Sequence, residues 1–265
     1  MEEQTLKRKI AIFRHSLQLQ NIAAGVWVQK IPVSYLKRLR SKDADASDPV
    51  VKALRSLDSI FKNCKEKKVD MASSVDAIVN EEGEDGGGHG TLLLAWHMSF
   101  DSEEKRMKDP ELVGLCTLFN FRSTENFTTL SSQMSASNYK TLKQYFGDKY
   151  TYIDALCSTR RGVGRLLVLH AYKYALARKK KGIVALSYSR RKSDTPESKR
   201  IFRQLRFQTI IEQANYTVQG MHGTWFVKST QEVDLAGIAD VGVKVCLRTG
   251  LTAKTANHLI WRCPN

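Results

Sequence analysis

Several features that would assign a class at once are missing from this 265-residue chain. No apolar run approaches the roughly 20 residues needed to span a bilayer. The opening MEEQTLKRKI lacks the charged-then-apolar order of a secretory signal. These absences predict a soluble, intracellular protein, cytoplasmic or nuclear and not secreted. Cysteine is sparse and unpatterned: Cys64, Cys116, Cys157, Cys246 and Cys263 form no C-x-x-C pair. That excludes a zinc knuckle and gives no disulfide framework, so reduced, buried thiols and no bound metal are expected. Internal repeats are absent. So is a Walker loop, which needs Gly-Lys-Ser/Thr, and so is the three-glycine fingerprint of a dinucleotide-binding strand and helix.

Acidic residues are also scarce where it matters. The chain carries a net charge of +15. Residues 151–265 hold 20 Lys and Arg against 7 Asp and Glu, and Arg160 to Arg206 alone hold 15 against 2. Such a surplus raises the local potential toward phosphates, nucleic acid or an acidic protein surface.

The hydrophobic pattern is that of one α/β domain. NIAAGVWVQKIPV (Asn21 to Val33) reads as a strand, and SYLKRLRSK as a short helix. DPVVKALRSLDSIFKNCKE reads as an amphipathic helix with Asp48 as N-cap and Pro49 at its first position. The run over 79–90 is acidic and glycine-rich, which predicts a flexible surface loop. Thr91 to Phe100 and Glu111 to Phe121 read as a hairpin. A polar inserted segment, 122–149, carries a helix near Asn138 to Phe146. Then come a strand at Tyr150 to Ser158, a helix of about 18 residues after it, and a strand at Gly182 to Ser189. A helix capped by Thr195 and Pro196 and two closing strands complete the pattern. The domain is expected over 1–229, with its core at about 21–229. Residues 230–265 form a C-terminal extension with apolar residues enough to pack on the domain or on a partner.

STRRGVGRLL, from Ser158 to Leu167, sits at the junction of the strand and the long helix. A strand running into such a turn presents unpaired helix N-terminal amides and the positive end of the helix dipole. Gly162 and Gly164 lack the Cβ atoms that would hold a diphosphate off the backbone. Arg160, Arg161 and Arg165 add phosphate-matched donors. The bland alternative is that the glycines only serve a tight turn.

These residues resemble the signature of the GNAT (general N-acetyltransferase) superfamily: Gln or Arg, two residues, Gly, one residue, then Gly or Ala, directly after the fourth strand. Here Thr159 to Gly164 hold that place, and the order of elements from about Asn21 to Ser229 is also similar. The resemblance implies a mixed, mostly antiparallel twisted sheet flanked by helices, with splayed parallel fourth and fifth strands. It further implies acetyl-CoA as cosubstrate, gripped by the Leu156, Cys157, Ser158, Thr159, Arg160, Arg161, Gly162, Val163, Gly164 and Arg165 segment, and acetyl transfer to the amine of an unidentified acceptor. Two positions depart from the family. Thr159 stands in the Gln or Arg position. Phe202 stands where the family often has a tyrosine that protonates the departing thiolate, and it has no hydroxyl.

Among candidate catalytic groups, strand alternation puts Asp154 on one face with Tyr152 and Leu156, where it could relay a proton from an amine or pair with an arginine. Tyr188 and Ser189, at the end of the fifth strand, are further hydroxyls. His97 and His170 read as structural, and Cys157 has no histidine spaced to activate it. A second reading keeps the scaffold without catalysis and binds nucleic acid or an acidic partner through the basic 160–206 segment.

Overall fold

The computed structural model describes residues 26–39, 45–61, 75, 90–97, 100–101, 106–107, 109–121, 134–189, 196–216 and 221–230. The expected loop over 79–90 (save Gly90), residues 122–133, the capping Thr195 and the tail beyond Thr230 lie outside them. A seven-stranded sheet runs through the molecule. Its strands are β1 (Val26–Pro32), β2 (Thr91–His97), β5 (Glu111–Phe121), β6 (Gly147–Ser158), β7 (Gly182–Ser189), β8 (Gln208–Tyr216) and β9 (Met221–Ser229). They lie in the order β1-β2-β5-β6-β7-β9-β8, and β3 (Phe100–Asp101) and β4 (Arg106–Met107) make a separate small ribbon. Every pairing in the large sheet is antiparallel except β6 with β7. That exception follows from the crossover helix α5 (Val163–Ala177), which returns the chain to the end of the sheet where β6 began.

Helices cover both faces. On one face α5 and α6 (Glu197–Gln204) bury Val163, Leu167, Ala171 and Phe202 against Leu93, Ala95, Ile183 and Phe226. Phe202 packs with Phe207 and Phe226 at centroid distances of 5.1 and 5.4 Å. On the other face α1 (Val33–Leu39), α2 (Pro49–Arg55) and α3 (Leu57–Ile60) cover β1, β2 and β5, with Ile31, Leu36, Leu54 and Trp96 in the core. Further along that face α4 (Ala136–Lys143) sits over β7, β8 and β9, where Leu142 meets Val184 and Trp225.

The local chemistry explains most boundaries. The Asp48 carboxylate accepts the Val50 N–H at 2.7 Å, and Pro49 opens α2, as its spacing predicts. The single long helix expected there is interrupted at Ser56, so α2 and α3 are separate turns. Helix α4 begins two residues early because Ser135 caps it by accepting the Asn138 N–H at 3.2 Å. The N-cap of α6 is Pro196, not Thr195. Both α5 and α6 close through a residue in left-handed conformation that is not glycine, Lys179 (φ 54°) and Arg206 (φ 57°). The N–H groups of the next residues, Lys180 and Phe207, bond back to Ala175 and Phe202.

Cysteine departs from expectation at one position. Cys116 is a free, fully buried thiol, and burial with the nearby Asp154 charge pushes its pKa up. Cys157 is buried and disulfide-bonded. It is therefore not the reduced thiol expected, and its side chain belongs to the core under α1–α3.

Candidate functional site

The parallel pair β6 and β7 does not stay paired. Its ladder runs from Tyr150 with Gly182 to Ile153 with Ala185 and stops there. Beyond that point β6 follows β5 as far as Ser158, while β7 follows β9 as far as Ser189. The cause is a bulge in β6. Cys116 faces Leu156 and Leu118 faces Ile153, so Thr117 alone opposes both Asp154 and Ala155. The buried Thr117 hydroxyl accepts the Ala155 N–H at 2.9 Å and donates to the Asp154 carboxylate at 3.4 Å. One side chain thus satisfies the main chain where the ladder breaks. Nothing in the sequence reading singled out Thr117; the available signal was a lone hydroxyl inside the otherwise apolar run LVGLCTLF.

The bulge also inverts the strand's phase, which corrects one expectation. Tyr152 packs against Trp225 on the α4 face at a centroid distance of 6.0 Å, whereas Leu156 packs on the α5 face. They do not share a face. Asp154 lies with Thr117 and Ala155 on the face opposite α5, exposed where the strands part. Tyr188 alternates with Val184 and Leu186 and so stands on that same face across the gap. Between α2 and the ends of β2 and β5, still on that face, lies a cleft of about 440 Å³. Lys52, Ser56, Ile60, Trp96, Asp109 and Leu112 are among the residues lining it.

On the α5 side, the strand-to-helix turn opens the helix without a side-chain cap. Gly162 is the N-cap of α5, left-handed at φ 88°, with no side chain to occupy the helix amides. A Cβ placed on it would meet nothing within 4 Å. Arg160 and Arg161 are exposed, and among the described residues no carboxylate pairs with either. Arg160 is close enough to His97 to help burial lower the imidazole pKa, with Glu111 opposing. Gly164 is different. It is buried, and a Cβ there would come within 2.9 Å of Ile201 and 3.4 Å of the Ser158 hydroxyl. Its bareness lets α5 approach α6, and close packing accounts for it without a ligand.

The side chains of Cys157 and Val163 are core, so these two can contribute main chain only. Leu156, Ser158 and Arg165 are half-buried. Thr159 turns back to β5, where its N–H and hydroxyl both donate to the Val113 carbonyl at 3.0 and 3.4 Å. Phe202 is wholly enclosed in the aromatic cluster under α6. Next to it Ser198 and the buried Ser187 share a hydrogen bond at 2.8 Å. Lys199 ties α6 to β8 through Glu212 at 3.3 Å. His170 is partnerless at Nε2, and burial lowers its pKa to about 4, which keeps it neutral and structural. Among the described residues, no three His, Cys, Asp or Glu side chains could hold a metal ion, and no helix is long and apolar enough to cross a membrane.

No family profile matches the sequence, and no curated protein matches it. Solved structures do. One is the aminoglycoside 6'-N-acetyltransferase from Enterococcus faecium, at 12% identity and a TM-score of 0.43, over 77% of this chain and 97% of that one. Another is an N-acetyltransferase from Staphylococcus aureus Mu50, at 9% identity and a TM-score of 0.43, over 78% and 99%. A third is the ribosomal-protein-S18-alanine N-acetyltransferase from Escherichia coli, at 10% identity and 0.41, over 77% and 94%.

Proposed function

With the GNAT fold as premise, carried by its strand order and its parted parallel pair, we propose that this chain is an acyl-CoA-dependent N-acetyltransferase. The observation that carries the reading is the opening of the sheet beyond Ile153 and Ala185, with an uncapped helix N-terminus on one side and a carboxylate on the other. We place the domain at 1–229 and treat 230–265 as an extension.

The residues fit acetyl-CoA on three counts. No side chain caps the start of α5 at Gly162, Arg160 and Arg161 pair with no carboxylate among the described residues, and the edge of β6 facing the gap has left its ladder. When bound, acetyl-CoA supplies an activated acyl group. Arg160, Arg161 and the amides of Gly162, Gly164 and Arg165 would hold the diphosphate, the Val163 N–H being already donated to the Arg160 carbonyl. The main chain of Leu156 to Ser158 offers donors along the gap, the kind of fixed dipole that polarises a carbonyl without reorganising. Asp154, exposed on the opposite face, orients the acceptor amine and accepts its proton. As the amine forms the new C–N bond and the C–S bond breaks, Tyr188, across the gap, would donate its hydroxyl proton to the departing thiolate. Phe202 takes no part in this assignment, because its ring is sealed in the core. The cleft beside Trp96 is where we place the acceptor, since it opens on the same face as Asp154.

The test is transfer of labelled acetyl groups from acetyl-CoA to a panel of amines (peptide N-termini, lysine peptides, polyamines, aminoglycosides), read as labelled product and released thiol. Product with one class, lost in Asp154→Asn and Tyr188→Phe, supports the assignment. Thiol release with no acetylated product in any class contradicts it.

A further inference from the structure

The mechanism uses the cations near the start of α5; a second group gathers at the opposite end of that helix. Fifteen residues of α5 separate the two ends by roughly 22 Å. The basic 160–206 segment therefore does not form a single patch. Around the C-terminal end of α5 stand Lys173, Arg178, Lys179 and Lys181, joined by Lys149 of β6, whose carbonyl accepts the Lys181 N–H, and by Lys30 of β1. All six are exposed. The Lys30 ammonium and the Arg178 guanidinium both lie over the Tyr174 ring, 5.9 and 5.4 Å from its centroid, which places two like charges on one aromatic side chain. Lys228 extends the group on the far side, over the Tyr172 ring at 5.7 Å.

Like charges gathered in this way repel one another, and the fold does little to offset it. Among the described residues none of the six forms an ion pair. Lys180, next to them, is different: its ammonium donates to the Asn120 side chain and to the Asp148 carbonyl, a structural role. Lys179 carries its charge at a left-handed position, where glycine would sit with less strain.

We infer that this end of the molecule is a docking surface for the phosphodiester backbone of a nucleic acid, separate from the acetyl-CoA site. Lys and Arg without an ion pair among the described residues, spread over β1, β6 and the end of α5, suit a partner with regularly spaced single negative charges, which binds by releasing counterions. A membrane suits the surface less well: the half-buried Tyr174 ring is already covered by Lys30 and Arg178 and so is not offered for insertion beside the cations.

The experiment uses the full chain and fluorescently labelled mixed-sequence single-stranded RNA and duplex DNA, titrated from 50 to 200 mM salt. With about five phosphates neutralised on a single strand, affinity falls on the order of a hundredfold over that range. The Lys173→Gln/Lys179→Gln/Lys181→Gln variant lowers the slope of log affinity against log salt by about 2. Lys140→Gln/Lys143→Gln, on the exposed side of α4, leaves the slope unchanged, and acetyl-CoA binding is unchanged in both. No oligonucleotide binding at 50 mM salt overturns the inference, as does an unaltered slope in the triple variant. Equal or tighter binding to phosphatidylserine vesicles or to polyglutamate overturns it in favour of those partners.

Discussion

Replacing Thr117 with valine removes one oxygen atom from the point where β6 leaves β7. Valine keeps the shape, so no cavity opens. What is lost is the acceptor that holds the Ala155 N–H at 2.9 Å in a fully buried site. An orphaned buried donor costs about 1–3 kcal/mol. For a domain of this size that is a fall in Tm of about 2–12 °C. The bulge can escape the cost only by shifting to find another acceptor, and the edge of β6 that faces the gap shifts with it. Acetyl-CoA affinity should then drop by at least about tenfold, equivalent to ~1.4 kcal/mol. Thr117→Ser supplies the contrast: it loses a buried methyl, worth about 1 kcal/mol, but keeps the hydroxyl and so keeps the affinity. Differential scanning calorimetry and ligand titration on both variants decide the matter. Thr117→Val with an unaltered Tm and unaltered affinity would refute the idea that this hydroxyl sustains the bulge.

Other perturbations separate packing from ligand binding. Gly162→Ala places a Cβ in open space at φ 88°, so it should cost about 1–2 kcal/mol of backbone strain and weaken acetyl-CoA binding; Gly162→Asn, which tolerates that conformation better, should recover the stability alone, as paired denaturant melts and titrations would reveal. Gly164→Leu should be destabilised even without ligand, because its Cβ falls 2.9 Å from Ile201. Gly114→Ala drives a Cβ to within 2.6 Å of Val163 and 2.9 Å of Leu167, an overpacking expected to cost about 1–3 kcal/mol in urea melts. His170 sets a pH dependence. Its folded pKa of about 4 lies below the unfolded 6.5, so the unfolded chain takes up a proton that the folded chain refuses. Stability is intact above about pH 6.5 and falls toward pH 4, by up to about 3 kcal/mol. His170→Leu should flatten that part of the curve relative to the parent, and identical curves for the two would count against a buried neutral imidazole.

Much of the fold was legible because its signals are local. The spacing of Val163, Leu166, Leu167 and Tyr174 marked α5, Pro49 after Asp48 marked the start of α2, and the continuous apolar run of β7 marked a strand covered on both faces. The parted strands were expected only by family resemblance, since no local pattern announces where a ladder ends. The bulge was not legible at all: alternation assumes an unbroken period of two, and one extra residue at Asp154 moves Leu156 to the other face from Tyr152. For the glycines, the sequence reveals the missing Cβ but not what fills its place. Gly162 faces open space and Gly164 faces Ile201, though both looked alike in RRGVGR. The disulfide at Cys157 had no sequence signal, because the five cysteines form no framework pattern.

The central claim is that the turn at Gly162 and the gap beyond Ile153 together take a coenzyme A diphosphate and its acyl arm. Isothermal titration of the full chain with acetyl-CoA addresses it directly. Saturable one-to-one heat, weakened in Gly162→Ala and in an Arg160→Ala/Arg161→Ala variant that keeps the parent's Tm, is the predicted result. No heat at millimolar ligand, or binding indifferent to all three residues, would contradict it.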